Sequence, residues 1–245
     1  MKSNAILTRS REGKKATGCT LMFPSADLVE LAGIAGFDFV HLDGEHGTFS
    51  PESVDAMCRA AEAAGLTVTA RVPSHDPSVI NLYLDRGVQG IVAPHVETQA
   101  EAKAIASACR FGPQGDRSWG GGRATHYNDP KSISDDKGSR LPLMQRANAE
   151  MLVVAQLETK KALGDLDAIL AVEGIDAFTY GPNDLAQSLG LPGQPDHPTV
   201  TDAMRKATDR IHSRGRKTWS DLATTANAHQ LFLDAGRKFV ESNRK

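Results

Sequence analysis

The sequence lacks the features that mark membrane, secreted and nucleic-acid-binding proteins. No apolar run approaches the roughly 20 residues that a membrane helix needs, and the first residues lack the apolar core of a signal peptide. The three cysteines, Cys19, Cys58 and Cys109, form no Cys-x-x-Cys pair, so neither a disulfide framework nor a zinc–thiolate site is expected. The net charge of −2 gives no general attraction to nucleic acid or acidic lipid. These absences favour a cytoplasmic enzyme or binding protein.

What the chain does have is an alternation of short β-rich runs with helix-like stretches. The predicted strands cover 17–23, 38–43, 66–72, 89–93, 152–158, 175–180, 217–220 and 238–241. The predicted helices cover 25–36, 51–64, 76–86, 97–109, 159–172, 199–214 and 224–236. Alternation at this spacing predicts a parallel sheet, and eight units favour closure into a (β/α)8 barrel.

Two stretches depart from this alternation. Segment 111–148 is first rich in glycine and then charged and irregular, which predicts a long loop with a short helix, a lid over the mouth of the barrel. The chain stops at about the predicted eighth strand, so the barrel is expected to lack its last helix. No domain boundary stands out, and residues 1–245 are expected to form one barrel domain.

Three predicted strands end in polar or charged residues, which is where α/β barrels carry their chemistry. Residues 38–46 read DFVHLDGEH, residues 153–158 read VVAQLE and residues 178–184 read FTYGPND. Together they supply a histidine and several carboxylates, a set suited to a hard divalent cation and a proton-transfer base.

Glu158 and Asp184 are the candidate metal ligands. Each lies at or just after the end of a predicted strand, and neighbouring strand ends of a barrel are close in space. Two carboxylates with water would suit Mg²⁺ or Mn²⁺. The alternative is that both are acidic residues at the beginning of helices, where they complement the helix dipole.

His46 is the candidate acid–base residue, because imidazole exchanges a proton near neutral pH. Asp43, three residues earlier, and Asp85, at the end of a predicted helix, are candidates to orient it. The alternative is a solvated loop histidine. Glu45 either points outward or joins a hydrogen-bond network, and the sequence leaves this open.

Arg71 and Gln156 are polar residues at the ends of otherwise apolar strands. A buried arginine needs an anion or carbonyl partners, so Arg71 is either a clamp for an oxyanion or carboxylate, or one half of an ion pair, with Asp43 as a candidate partner. Gln156 alternates with Glu158 and should face the same side of its strand, where a bound ligand could satisfy it.

The glycine cluster at 119–122 resembles neither a phosphate-binding loop nor a dinucleotide-binding fingerprint. Its expected role is backbone flexibility in the lid. Arg117 and Arg123 flank it and could contact an anion.

In combination these motifs resemble the HpcH/HpaI aldolase family, the metal-dependent class II pyruvate aldolases that include 4-hydroxy-2-oxoheptanedioate aldolase. The resemblance extends from about residue 17 to about residue 240 and is carried by 35–38, 42–46, 70–71, 76–77, 156–159 and 181–185. It implies a (β/α)8 barrel of the phosphoenolpyruvate/pyruvate type. It also implies a homo-oligomer, in this family usually a hexamer built from dimers.

The resemblance implies a reaction as well. A 4-hydroxy-2-oxo acid would be cleaved reversibly to pyruvate and an aldehyde, through a pyruvate enolate stabilised by Mg²⁺, Mn²⁺ or Co²⁺. The resemblance implies that Glu158 and Asp184 bind the metal and that His46, with Asp43 or Asp85, is the acid–base residue. It implies that Arg71 contacts the keto oxygen and that Gln156 contacts pyruvate or a metal-bound water. Backbone amides in the segment Gly181, Pro182, Asn183 and Asp184 would bind the pyruvate carboxylate.

Two departures from the family pattern leave other functions open. The final helix is expected to be missing, and segment 217–221, which helps to line the aldehyde pocket in the family, is unusually polar. One alternative is a related lyase or condensing enzyme that uses another oxo acid or a CoA ester. Another is a barrel that binds an oxo acid or a metal with little turnover. The sequence does not specify the aldehyde.

Overall fold

Eight parallel strands form one curved sheet in the computed structural model, which describes residues 3–244. The strands are Ala16–Leu21 (β1), Phe39–Asp43 (β2), Thr67–Arg71 (β3), Gly90–Ala93 (β4), Leu152–Leu157 (β5), Ala177–Tyr180 (β6), Lys217–Thr218 (β7) and Ala223–Asn227 (β8). Their order across the sheet is β7-β6-β5-β4-β3-β2-β1-β8. The predicted α/β class and parallel sheet are therefore confirmed.

Helices precede, connect and follow the strands along the chain. They are Ala5–Arg11 (α1), Ala26–Ile34 (α2), Pro51–Ala63 (α3), Pro77–Asp85 (α4), Gln99–Ala108 (α5), Pro130–Ile133 (α6), Leu141–Ala149 (α7), Lys160–Gly164 (α8), Leu166–Leu170 (α9), Pro182–Ser188 (α10), Pro198–Ser213 (α11), Trp219–Leu222 (α12) and Ala228–Asn243 (α13). Within residues 3–244, no helix is both long and apolar enough to span a membrane.

Local sequence signals set where the outer helices begin. Helix α3 starts with Pro51 behind a capping box in which the side chains of Ser50 and Ser53 satisfy each other's backbone amides. Helix α4 starts with Pro77 behind the cap residue Asp76. Each helix begins beside the end of the preceding strand and returns the chain to the start of the next one. The polar strand ends consequently meet at one edge of the sheet.

Side chains alternate along each strand between the inside of the curved sheet and the surrounding helices. In β2, Phe39 packs in the small inner cluster, whereas Val40 and Leu42 pack in the large cluster against the helices. Because successive side chains of a strand point to opposite faces, His41 and Asp43 share the inner face with Phe39. Asp43 therefore lies at the inner rim where β2 ends.

Helix α1 closes the end of the sheet at which the strands begin. The Ala5 amide donates to Thr67 Oγ1 at 2.9 Å, and Asn4 Nδ2 donates to the Gln89 carbonyl oxygen at 3.0 Å, just before β4. Ile6 is fully buried in the inner cluster. The opposite end of the sheet carries the charged residues.

The C-terminal part of the fold differs from the prediction. The predicted strand at 238–241 is wrong, because these residues continue helix α13. The predicted helix at 224–236 begins too early, because β8 occupies 223–227 and pairs with β1 from Ala16↔Ala223 to Thr20↔Asn227. Once β8 occupies that edge of β1, no pairing position remains there for a later segment.

The expected absence of the last helix is not confirmed, since α13 follows β8. Strand β7 is only two residues long, and the short helix α12 connects it to β8. Within the described residues, β7 and β8 are the two edges of the sheet and do not pair with each other. Trp219 of α12 packs inside the curve of the sheet, with its ring 5.8 Å from Phe39 and 5.9 Å from His41.

Segment 111–148 does not lie where it was predicted. Arg123 donates to the Arg86 carbonyl oxygen at the end of α4 and pairs with Glu62 at the end of α3. The segment is anchored at its own ends by Asn148, whose side chain bonds the backbone N–H and carbonyl of Phe111 at 2.8 Å each. It follows α5, which returns the chain to the starts of the strands, so the segment lies at that end and not over the mouth.

Candidate active site

The charged residues converge at the ends of β2, β3, β5 and β6. The sheet register places Asp43, the last residue of β2, beside Arg71, the last residue of β3. Glu158 directly follows β5, and Gly181 directly follows β6. Four segments that are distant in the sequence thus supply one cluster at the inner rim.

Arg71 is held by two carboxylates. Its Nε and Nη2 atoms donate to Oδ1 and Oδ2 of Asp43 at 3.1 and 2.5 Å, and its Nη1 atom lies 3.1 Å from Glu45 Oε2. Burial opposes ionisation of Asp43, but the hydrogen bonds from Arg71 and His46 outweigh it and lower the pKa of this carboxyl. The ion pair predicted as the alternative for Arg71 is present, and it fixes the guanidinium plane at the site.

Glu158 is the most enclosed acid of the cluster, with 1% of its side chain exposed. Its Oε1 atom accepts the His95 backbone N–H at 2.6 Å, and its Oε2 atom accepts Gln156 Nε2 at 2.6 Å. Burial raises the pKa of Glu158; the His95 amide and ring oppose this shift, and the negative charges of Glu45 and Asp184 add to it. The cluster has surplus negative charge around Glu158, which a cation would relieve.

His95 and Glu45 are parts of the site that the sequence did not assign. His95 Nδ1 lies 3.0 Å from Glu158 Oε1, and its Nε2 lies 3.1 Å from Glu45 Oε1, so the ring bridges the two carboxylates. Its backbone is in the left-handed region with φ of 52°, an uncommon conformation for a residue other than glycine. The signal was available, because His95 follows β4 as the other polar residues follow their strands. Glu45 does not point outward, because its carboxylate lies 3.1 Å from both Arg71 Nη1 and His95 Nε2.

His46 lies on the outer side of this cluster, with 59% of its side chain exposed. Asp43 Oδ1 accepts the His46 backbone N–H at 3.1 Å, so Asp43 fixes the position of the loop and not the ring. The imidazole Nε2 lies 3.8 Å from Glu45 Oε2. The exposed ring is thereby free to reach a bound molecule.

Asp85 lies away from His46 and the Glu158 cluster. It ends α4 and accepts from Asn81 Nδ2 at 3.2 Å, and its Oδ1 atom lies 3.7 Å from Arg117 Nη2. Because α4 runs from the strand ends towards the strand starts, Asp85 and His46 are at opposite ends of the sheet. No described contact joins the two, and their pairing stays a prediction.

Gly181 shapes the space beside Glu158. A Cβ atom at this position would lie 2.1 Å from Glu158 Oε2 and 2.9 Å from Gln156 Nε2. Helix α10 begins at once with Pro182, and no side chain caps its first turn. Asn183 is exposed and Asp184 half-buried, and the negative charge of Asp184 acts on the Glu158 carboxylate.

The carboxylates of Glu158 and Asp184 suit a hard divalent cation that also coordinates water and substrate oxygens. Within residues 3–244, no group of three or more His, Cys, Asp or Glu side chains is arranged to hold a metal ion by itself. Glu158 and Asp184 interact electrostatically, and glycine at 181 keeps the space beside Oε2 clear. Mg²⁺-type ions commonly use one or two carboxylates and complete their shell with water and substrate oxygens.

Comparison with known proteins identifies the family of the chain. Residues 18–243 match the sequence model of the HpcH/HpaI aldolase/citrate lyase family. The chain belongs to this family. The resemblance inferred from the sequence motifs is confirmed.

Several characterised family members are similar to the chain over most of their length. A 4-hydroxy-2-oxovalerate aldolase of Rhodococcus jostii is 38% identical over 239 residues, which are 97% of this chain and 88% of the relative. A hydroxypyruvate/pyruvate aldolase of Roseobacter denitrificans is 36% identical over 231 residues, 94% of this chain and 86% of the relative. The crystal structure of an HpcH/HpaI aldolase/citrate lyase family protein from Burkholderia cenocepacia has a TM-score of 0.86 at 27% identity, covering 99% of this chain and 100% of that one.

Proposed function

We propose that this protein is a pyruvate aldolase, a carbon–carbon lyase that cleaves a 4-hydroxy-2-oxo acid to pyruvate and an aldehyde and catalyses the reverse addition. The observation that carries the proposal is the buried Glu158 carboxylate, held by Gln156 and His95 within electrostatic reach of Asp184 and Arg71. Aldolase relatives that are 38% and 36% identical to this chain over the aligned residues support the same reaction.

In this proposal Glu158 and Asp184 hold the divalent cation, which is Mg²⁺, Mn²⁺ or Co²⁺. When bound, such an ion polarises the keto oxygen of pyruvate and stabilises the negative charge that develops on it. Glu158 is oriented by Gln156 and by the His95 amide, and burial, with the nearby negative charges of Glu45 and Asp184, raises its pKa. In the proposal, Gln156 also contacts pyruvate or a metal-bound water.

Arg71 supplies the second positive charge at the keto oxygen. Its guanidinium is already oriented by Asp43 and Glu45, so it needs little rearrangement when charge develops on the substrate. The pyruvate carboxylate would lie against the uncapped backbone amides at the start of α10, in the segment 181–184.

His46 moves the proton on and off the hydroxyl group that becomes the aldehyde. Its ring is exposed at the rim, and its loop is fixed by the hydrogen bond from its amide to Asp43. Asp43 is therefore the supporting aspartate within this chain. Asp85 is kept in the proposal only as the second candidate, because its contacts here are with Arg117 and Asn81.

The proposal extends to a closed (β/α)8 ring of the phosphoenolpyruvate/pyruvate type, a homo-oligomeric assembly up to a hexamer, and a cytoplasmic location. Helix α13 has no buried residue and exposes large apolar side chains, which supports a partner surface there. The exposed residues are Leu231, Phe232, Leu233, Phe239 and Val240.

Pyruvate release tests the proposal. The full chain, freed of metal with EDTA and reloaded with Mg²⁺, Mn²⁺ or Co²⁺, is assayed with a panel of 4-hydroxy-2-oxo acids through coupled reduction of pyruvate. We expect metal-dependent release of pyruvate that EDTA abolishes and that re-addition of metal restores. In the addition direction, the enzyme is given pyruvate and one of a series of aldehydes, and the rates identify the preferred aldehyde.

Pyruvate release that persists in EDTA would contradict the metal-dependent mechanism. Absence of release with every oxo acid and every metal would favour the alternatives, a condensing enzyme for another oxo acid or CoA ester or a binding protein with little turnover.

Gly181→Ala is expected to lower kcat/KM by roughly a hundredfold, since displacement of a site group by about 1 Å can have that effect. The added methyl group would overlap Glu158 Oε2 and displace the carboxylate, while φ of −105° is acceptable for alanine. Steady-state kinetics of pyruvate release measure the effect.

Gly164→Ala is the matched control, because a Cβ at that position meets no atom within 4 Å. It should retain full turnover. Equal turnover in Gly181→Ala would show that the space beside Glu158 is not used.

A further inference from the structure

A cavity lies at the opposite end of the sheet from Glu158. It is enclosed by the ends of α3 and α4, helix α7 and the turn 123–128, and has a volume of about 530 Å³. We call it the strand-start cavity, because Leu66, Gln89 and Met151, which precede β3, β4 and β5, line it. Its volume is in the range of pockets that bind small molecules.

Arg117 is a buried cation in the wall of this cavity. Only 2% of its side chain is exposed, and its guanidinium lies over the Phe111 ring, 4.5 Å from the centroid. The nearest carboxylate oxygen, Asp85 Oδ1, is 3.7 Å from Nη2, beyond hydrogen-bond distance. Its Nε and Nη2 atoms have no hydrogen-bond partner. A buried guanidinium with unused donors is unfavourable unless an anion or carbonyl satisfies it.

The other two arginines of the cavity are already satisfied by the protein. Arg59 Nε donates to Asp55 at 2.7 Å and its Nη2 to Tyr127 Oη at 3.2 Å. Arg123 pairs with Glu62 and donates to the Arg86 carbonyl oxygen. Among these three arginines, Arg117 is the buried one with two donors left for a ligand. One guanidinium whose charge is already partly balanced by Asp85 suits a monoanion better than a phosphate dianion.

The backbone that closes the cavity is strained. His126 and Tyr127, both in the wall, have φ of 48° and 55° in the left-handed region. Such conformations persist where the surrounding structure enforces them, and they are concentrated at ligand-binding sites. The rest of the wall is partly apolar, with Val68, Leu84 and Met151 available to an apolar group.

We propose that the strand-start cavity binds a small organic carboxylate whose anionic group pairs with Arg117 Nε and Nη2 and whose apolar body packs against Val68, Leu84 and Met151. The site is independent of the proposed reaction, because it lies at the other end of the sheet and shares no residue with the Glu158 cluster. A ligand there would not compete directly with an oxo acid.

Calorimetric titration of the full chain with 3-phenylpropionate tests the site, with 3-phenylpropanamide as the uncharged probe of the same shape. The acid should bind at least about tenfold more tightly than the amide, because charge-assisted hydrogen bonds to a buried guanidinium are strong. Arg117→Gln should weaken binding of the acid by about tenfold or more. Glu158→Gln should leave it unchanged, which separates this site from the catalytic end.

A second pair of variants covers the case in which Arg117→Gln does not fold. Ser132 is exposed and lines the cavity, whereas Lys131 is exposed and does not. Ser132→Trp should obstruct the cavity and reduce binding of 3-phenylpropionate by about tenfold, and Lys131→Trp should have no effect. Equal affinity for acid and amide, undiminished binding in Ser132→Trp, or no binding of the acid to the wild-type protein would each overturn the proposal.

Discussion

Glu158→Gln is expected to lower kcat/KM for aldol cleavage by about a thousandfold or more, equivalent to about 4 kcal/mol of transition-state stabilisation. The amide keeps the shape of the side chain but removes the negative charge that would hold the divalent cation. Calorimetric titration with Mn²⁺ should show that tight metal binding is lost together with pyruvate release.

The same variant should not destabilise the fold. Burial raises the pKa of Glu158 in the folded protein. A carboxyl whose pKa is higher in the folded than in the unfolded state disfavours folding at pH values above its folded pKa, where it is ionised. Neutral glutamine removes that penalty, so the free energy of unfolding at neutral pH should stay equal or rise.

Glu12→Gln is the matched control for this prediction, since Glu12 is exposed and forms an ion pair with Lys14. It should bind Mn²⁺ and turn over as the wild-type protein does. Wild-type affinity for Mn²⁺ in Glu158→Gln would remove Glu158 from the metal site.

Arg71→Ala is expected to lower kcat/KM by at least about a hundredfold, in line with the roughly 3 kcal/mol that removal of one oxyanion-stabilising donor typically costs. The guanidinium is the positive side chain that Asp43 and Glu45 orient at the site. Arg71→Lys retains the charge but loses the two-point contact with Asp43, so its activity should fall between those of the wild type and Arg71→Ala.

Arg71→Ala also leaves the enclosed carboxylates of Asp43 and Glu45 without their cation. Unfolding of the variant would then add to the loss of activity. Combining Arg71→Ala with Asp43→Asn removes one of those charges and should recover thermal stability without recovering turnover. Arg210→Ala removes an exposed arginine that pairs twice with Asp167 at 2.7 Å, and it should leave kcat/KM unchanged. Turnover of Arg71→Ala within about threefold of the wild type would exclude the clamp role.

Most of the fold could be predicted because the signals for it are local. Strands such as 38–43 show apolar runs with a polar end, and Ser50-Pro51 marks a helix start by its own chemistry. The C-terminal region could not be predicted in the same way. Residues 238–241 have strand-like composition, but the edge of β1 accepts one strand, and β8 at 223–227 occupies it.

The active site, like the fold, could be predicted from the sequence only in part. Glu158, Asp184, Arg71 and His46 could be proposed because strand ends of this fold class carry function. Which partner each one has could not be predicted, because the contacts are long-range. The His95 amide reaches Glu158 across 63 positions of the sequence, and Arg71 reaches Asp43 across 28.

The sequence by itself determined the alternation of strands and helices, the family, and the chemical groups available at the strand ends, because periodicity and motifs are properties of neighbouring residues. Only the tertiary structure decided that His95 bridges Glu45 and Glu158, that Asp85 lies beside Arg117 at the far end of the sheet, and that segment 111–148 encloses a cavity instead of covering the mouth. Those outcomes depend on which distant segments share space, and burial then sets the charge and the unused donors of each group.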